Sequence, residues 1–283
     1  HGTAPGAALE KNGKCVIILP GPPGELAPMF NESVRGFLKK YSDGAIVSHT
    51  VNIIGMGESS VAEEIEDMFD AKNPTVAPYA KSGEVRLRIT AKAETADEAD
   101  KMCAPVVDEI CSRLGDVVYG TDMNSIEERV VALLKEKGKK IATAESCTAG
   151  YIPKRLTDIP GASEVFECGI VSYSNDIKTK LLGVSPKTLE TYGAVSEQTA
   201  REMALGAKHV SGADIAISTT GLAGPGGDGV LPGGLSFAAV TDGERTVVEK
   251  IVTGHENDRE YNRYVTASRA LNLARLMLEE KIK

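Results

Sequence analysis

Four short segments carry residues whose types and spacing could do chemistry. In the first, Thr143-Ala-Glu-Ser-Cys-Thr-Ala-Gly150, Ser146 follows a strand pattern at 140–144 and precedes a helix predicted from about residue 147. A helix N-terminus presents free N–H groups and a positive dipole end, which favour an activated hydroxyl or a bound anion. Ser146 and Thr148 are equally the residue types that cap a helix. Cys147 has no partner imidazole nearby in sequence and reads as a buried structural thiol.

The second segment, Gly169-Ile-Val-Ser-Tyr-Ser-Asn-Asp-Ile-Lys178, also joins a strand to a helix. With Asn175 as the expected cap, Lys178 falls in the first helical turn, a poor place for a cation unless something anionic or catalytic requires it. A solvated lysine is the plain alternative. A desolvated lysine beside a serine hydroxyl can act as its base, a form of nucleophilic catalysis that dispenses with histidine. In the third segment, Ser218 to Gly229, five glycines in nine residues allow an anion nest or oxyanion hole, or a flexible turn. It lacks the lysine of a Walker A loop and the glycine order of a dinucleotide fingerprint. In the fourth, Asn257 to Arg263, Arg259 and Arg263 lie one helical turn apart, spaced to clamp a phosphate or carboxylate together or to pair with Asp258 and Glu260.

These segments need a scaffold, and residues 123–283 supply the pattern of a complete α/β domain. Ser125 with Glu128 marks a capping box before a helix ended by Gly138. Strands are predicted at 140–144, 166–172, 213–219, 235–241 and 246–252. Helices are predicted from about 147 and 175, at 197–210 behind Ser196, and at 258–280. Short apolar strands between helices imply a sheet covered on at least one face, with ligands gathering where strand ends meet helix starts.

Residues 43–122 read as a small α+β domain, with strands at 45–54 and 84–93 and helices opened by Glu58 and spanning 96–114. Between 43 and 120 it holds 15 acidic residues against 7 basic ones, a net of −8. Residues 1–42 offer one strand pattern (14–20), a Gly-Pro-Pro-Gly turn (21–24) and one helix (25–40), too little to bury a core alone. The segment is expected to be the tail of a larger domain.

The whole chain of 283 residues is 42% hydrophobic and 25% charged, which excludes disordered and fibrous classes. A formal charge of −8 argues against a broad nucleic-acid or anionic-lipid footprint, though a local anion pocket is compatible with it. No apolar run approaches the roughly 20 residues that cross a bilayer. Five cysteines without a C-x-x-C pair, and four histidines, give no zinc spacing and no catalytic triad. A cytoplasmic chain with reduced thiols, no cofactor and no metal is expected.

Taken together and in order, the motifs resemble those of the competence/damage-inducible CinA family. They are T-A-E-S-C-T-x-G (143–150), G-x-V-S-Y-S-N-x-x-K (169–178), G-A-V-S-E (193–197), T-G-x-A-G-P-G-G (220–227) and D-R-x-x-x-R (258–263). Residues 1 to about 120 are similar to the remainder of such proteins: Gly2-Thr-Ala-Pro-Gly6 and Leu19 to Leu26 to the end of a molybdopterin-binding-like domain, the next segment to a KH-type domain.

The resemblance implies an α/β fold with a CinA-type α/β/α C-terminal domain at 123–283. It implies a KH-type domain at 43–122 and a molybdopterin-binding-like remnant at 1–42. It also implies hydrolysis of nicotinamide mononucleotide to nicotinate mononucleotide and ammonia. By the same carry-over Ser146 is the nucleophile, and Tyr173 and Lys178 activate it or manage protons. Glu145, Thr148, Thr220, Gly221, Gly224, Arg259 and Arg263 then bind the substrate. A homodimer is the expected assembly. Ala149 stands where the family's serine motif usually has glycine, Asn257 where glycine usually precedes D-R, and the loop 228–234 differs from the commoner acidic version. Two other roles are weighed against the enzyme. One is a scaffold in the competence or damage response with a vestigial pocket. The other is RNA binding by the middle domain, disfavoured by its charge and by Glu58 in the turn Gly55-Met-Gly-Glu58.

Overall fold

The computed structural model describes residues 2–41 and 43–282, so His1, the boundary residue Ser42 and Lys283 lie outside the described residues. An N-terminal hairpin pairs β1 (Ala7–Lys11) with β2 (Lys14–Ile18) antiparallel. Its two-residue loop, Asn12-Gly13, has both residues at positive φ, the requirement of a type I′ turn. The single-strand expectation for this segment is therefore corrected: Lys11-Asn-Gly-Lys14 is a hairpin signal, and the alternation of β1 is masked by exposure on both faces. Helices α1 (Pro23–Met29) and α2 (Arg35–Leu38) follow, joined by a π-helical turn.

The middle domain is a four-stranded antiparallel sheet in the order β4-β5-β3-β6, made of β3 (Ala45–Ile54), β4 (Thr75–Lys81), β5 (Glu84–Ala93) and β6 (Val118–Thr121). Two helices pack on it, α3 (Glu58–Glu64) and α4 (Ala96–Leu114). Val51, Ile53, Leu87, Ile89, Cys103 and Ile110 form its core. Strands β4 and β6 are additions to the sequence-based expectation. Pro78 interrupts the pattern of β4 and is tolerated because β4 is an edge strand.

The C-terminal domain opens with α5 (Ile126–Lys137), whose cap Ser125 accepts from Glu128 N. The expected reciprocal half of the box is replaced: the Glu128 carboxylate takes the backbone N–H of Asn124 instead. Then come β7 (Ile141–Glu145), α6 (Tyr151–Thr157), β8 (Phe166–Val171), α7 (Asn175–Leu182), α8 (Pro186–Tyr192), α9 (Glu197–Ser211), β9 (Ile215–Gly221), β10 (Leu235–Thr241), β11 (Thr246–Val252) and α10 (Arg259–Leu278). Helix α8 is a further addition to the expected pattern. The sheet order is β11-β10-β9-β7-β8, with β7 parallel to both β8 and β9, and with β10 antiparallel to β9 and β11.

This topology decides where the four motifs go. Strands β7, β8, β9 and β11 all finish at one end of the sheet, so the turns that follow them, holding Ser146, Tyr173, Gly224 and Arg259, emerge together. One face of the sheet is covered by α5, α6 and α10, packed around Leu134, Ile152, Ile217 and Leu271. The other is covered by α7 and α9, packed around Ala142, Ala144, Leu182 and Met203. Gly206 of α9 lies against the backbone carbonyl of Leu182, where a Cβ would not fit, and this seats α9 flush on the end of α7. Among the described residues no helix is long and apolar enough to cross a membrane.

Candidate active site

Alternation along β7 sets the direction of the serine. Ala142 and Ala144 face α7 and α9, and Ser146, next in that series, turns its hydroxyl the same way, toward α7. Ser174 caps α7 by accepting from Ile177 N, which corrects the expectation that Asn175 is the cap. Lys178 is the fourth residue of the helix, and its side chain runs back under the strand ends. Its Nζ lies 3.1 Å from Ser146 Oγ, 2.8 Å from Ser172 O and 3.3 Å from Tyr173 O.

Lys178 is 1% exposed, and its polar neighbours are a hydroxyl and two carbonyls rather than a carboxylate. Burial therefore pushes its amine below the usual lysine range. A neutral amine has two N–H donors and one lone pair. Nζ donates to Ser146 Oγ, Ser172 O and Tyr173 O; once it loses a proton, its lone pair can instead accept from Ser146 Oγ–H.

Ser146 does not open a helix as expected. Helix α6 starts only at Tyr151, and residues 146–150 form a turn that ends in two left-handed residues, Ala149 (φ 49°) and Gly150 (φ 86°). The Ser146 N–H is tied to Thr219 O at 2.9 Å, which fixes the turn against β9. Ala149 is a non-glycine residue in the left-handed region and is strained there. Ala149→Gly is expected to raise stability by about 0.5–1 kcal/mol, the left-handed penalty less the added unfolded-state entropy, read as a higher urea midpoint at constant slope.

The other candidate residues divide into those at the surface of the site and those beneath it. Tyr173 is 62% exposed and meets Lys178 through its carbonyl. Arg259 donates to Gly224 O at 2.8 Å, and Arg263 donates to Thr148 O at 2.7 Å. Each arginine thus ties α10 to one strand-end turn. These bonds take the place of the alternative pairing with Asp258 and Glu260, and with Tyr151 and Glu260 the two arginines line a cavity of about 290 Å³.

Beneath the site, three residues expected to contact substrate have their side chains engaged by internal partners. Glu145 is fully buried and faces α6, where Oε2 accepts from Ile152 N at 3.2 Å; burial raises its carboxyl pKa. Thr148 Oγ1 bonds Thr219 Oγ1 at 2.6 Å, and Thr220 Oγ1 donates to Ala194 O at 2.6 Å. Thr148 and Thr220 hold the turns in place as buried hydroxyls satisfied from within, while Glu145 is bonded through Oε2 only and its buried Oε1 has no hydrogen-bond partner among the described residues. Gly221 packs against Ser236, and Gly224, at φ 88°, packs against the Glu256 carbonyl. Cys147 is buried and its thiol is pushed up to about 12, which suits an inert thiol. Two residues of the site carry no sequence signal of their own. Ser172 lies within the second motif but acts through its carbonyl, which any residue possesses, and Tyr151 is an aromatic at a helix start with no distinctive spacing.

The fold and this end of the sheet define an α/β domain with a serine–lysine pair at the strand ends and a cavity lined by Tyr151, Arg259, Glu260 and Arg263. The sequence profile of the CinA C-terminal domain matches residues 123–278, and that of the damage-inducible protein CinA KH domain matches residues 48–120. The chain belongs to the CinA family. It is 46% identical to a CinA-like protein of Desulfovibrio desulfuricans over 97% of this chain and 65% of that protein. It is 45% identical to a CinA-like protein of Kosmotoga olearia over 93% of this chain and 64% of that one. The chain thus spans less than two thirds of these relatives. The crystal structure of the competence/damage inducible protein CihA from Agrobacterium tumefaciens is similar with a TM-score of 0.52 and 38% identity, covering 54% of this chain and 93% of that one.

Proposed function

We propose that this chain is an amidohydrolase that converts nicotinamide mononucleotide and water to nicotinate mononucleotide and ammonia. The observation that carries the reading is the buried Lys178 amine, 3.1 Å from Ser146 Oγ and held by two carbonyls. An amide is a poor electrophile, so its hydrolysis needs an activated nucleophile, oxyanion donors and an acid for the leaving nitrogen.

Lys178 takes the Ser146 proton as Oγ attacks the carboxamide carbon. The tetrahedral intermediate collapses, the C–N bond breaks, and Lys178 returns the proton to the departing nitrogen, which leaves as ammonia. Water then attacks the acyl ester as Lys178 accepts one of its protons, the C–Oγ bond breaks, and Lys178 returns that proton to Oγ, which leaves nicotinate mononucleotide and free Ser146. Backbone N–H groups of the strand-end turns supply the donors for the oxyanion. Arg259 and Arg263 hold the phosphate.

The test is the stoichiometric appearance of ammonia and nicotinate mononucleotide from the substrate. A folded protein that forms neither would overturn the reading. Arg259→Ala is expected to raise KM about 10- to 100-fold with kcat little changed, the loss of one charge-assisted phosphate contact. Arg263→Ala should lower kcat as well, because it also frees the Thr148 carbonyl next to the nucleophile turn. Initial-rate kinetics check both.

A further inference from the structure

The middle domain sits on α10, the helix that carries both arginines. Two turns make the seat. A Cβ on Gly55 (φ 89°) would come 3.0 Å from Arg269 Nη1, and one on Gly83 (φ 69°) 3.0 Å from Val265 Cγ2. Val265 and Arg269 are one helical turn apart, and the Gly55–Glu58 turn, expected to clamp nucleic acid in an RNA-binding KH domain, lines a cleft shared with them on α10.

Glu84, next to Gly83, is 5% exposed and reaches into the C-terminal domain. Its carboxylate accepts from Tyr119 Oη at 2.9 Å, Tyr264 Oη at 3.4 Å and Ser268 Oγ at 3.5 Å. Ser268 Oγ in turn accepts from Arg155 Nη1 at 2.8 Å, and Arg155 Nη2 bonds Glu127 at 2.8 Å. Arg155 also lies 4.8 Å from the centre of the Tyr264 ring. Arg155 belongs to α6, whose first residue, Tyr151, lines the anion cavity and lies under Arg263 at 5.7 Å.

We infer that Glu84 is a positioning residue for the anion site, through which the middle domain sets the placement of Tyr151 and Arg263. The inference rests on the amidohydrolase reading for its kinetic arm only. Removing the carboxylate leaves the buried hydroxyls of Tyr119 and Ser268 and the half-buried one of Tyr264 without their acceptor and frees the α6–α10 contact to shift.

The experiment compares the wild-type chain with Glu84→Ala, Glu84→Gln and Ser268→Ala, by initial-rate kinetics on nicotinamide mononucleotide and by amide hydrogen exchange. Glu84→Ala is expected to raise KM about fivefold with kcat within about twofold. Exchange should quicken at residues 260–266 and stay unchanged at 142–144. Glu84→Gln, which keeps an acceptor oxygen, should recover most of the wild-type KM, and Ser268→Ala should shift KM the same way should Glu84→Ala not fold. An unchanged KM, a fall in kcat alone, or exchange that quickens equally in both segments would overturn the inference. If the wild-type chain hydrolyses no substrate, the function reading fails by itself, and local quickening at 260–266 alone upholds the positioning role or its absence overturns it.

Discussion

Ser146→Ala is expected to lower ammonia release by about 10⁴- to 10⁶-fold, the range for removing a serine nucleophile. The substitution should leave the fold intact. Ser146 is half-buried, its hydroxyl meets Lys178, and its structural bond, N–H to Thr219 O, belongs to the backbone and survives in alanine. The urea midpoint should therefore stay within about 0.5 kcal/mol of the wild type. An ammonia assay sensitive to the uncatalysed rate checks the prediction. A variant that retained more than a hundredth of the activity would point to direct attack by water and remove Ser146 from its role.

Much of this site is legible in the sequence because the chemistry and the topology use the same short segments. Ser146 stands out at a strand end and Lys178 in the first turn of the helix after the next strand, and the parallel order of β7, β8 and β9 brings them together. The strands of the C-terminal sheet are visible as apolar runs, since central strands are buried on both faces. What the sequence does not disclose is the direction of buried polar side chains. Glu145 and Ser146 are neighbours, yet period-two alternation sends one under α6 and the other toward α7. Nothing in the segment Thr143–Gly150 tells which face of β7 packs on which helix. The late start of α6 is hidden for a similar reason: Ala149 in a left-handed conformation overrides its own helix propensity. Glu84 is invisible as a functional residue because two of its partners, Tyr264 and Ser268, lie in another domain far along the chain.

Lys178→Met is expected to lower kcat by orders of magnitude and at the same time stabilise the protein. The amine is the base in the proposed reaction, and losing it should reduce kcat by about 10²- to 10⁴-fold. Methionine fills similar space without a charge to desolvate, and this gain at neutral pH outweighs the lost bonds to the Ser172 and Tyr173 carbonyls, read as a higher melting temperature. The pH dependence gives the sign. Burial depresses the lysine pKa in the folded state, so below the unfolded value of about 10.4 the unfolded chain binds more protons than the folded one. The contribution is fully present above that value and is lost as pH falls through the depressed folded pKa. Wild-type stability should thus rise with pH across this window relative to Lys178→Met, and the advantage of methionine should shrink. Activity should follow the same group: kcat/KM rises as Lys178 loses its proton and then levels. Lys178→Arg separates charge from basicity, because a guanidinium keeps its donors but does not deprotonate. If the lysine acts as a base, the arginine variant is as inactive as methionine; if it only supplies positive charge, arginine retains activity and the assignment of the base falls.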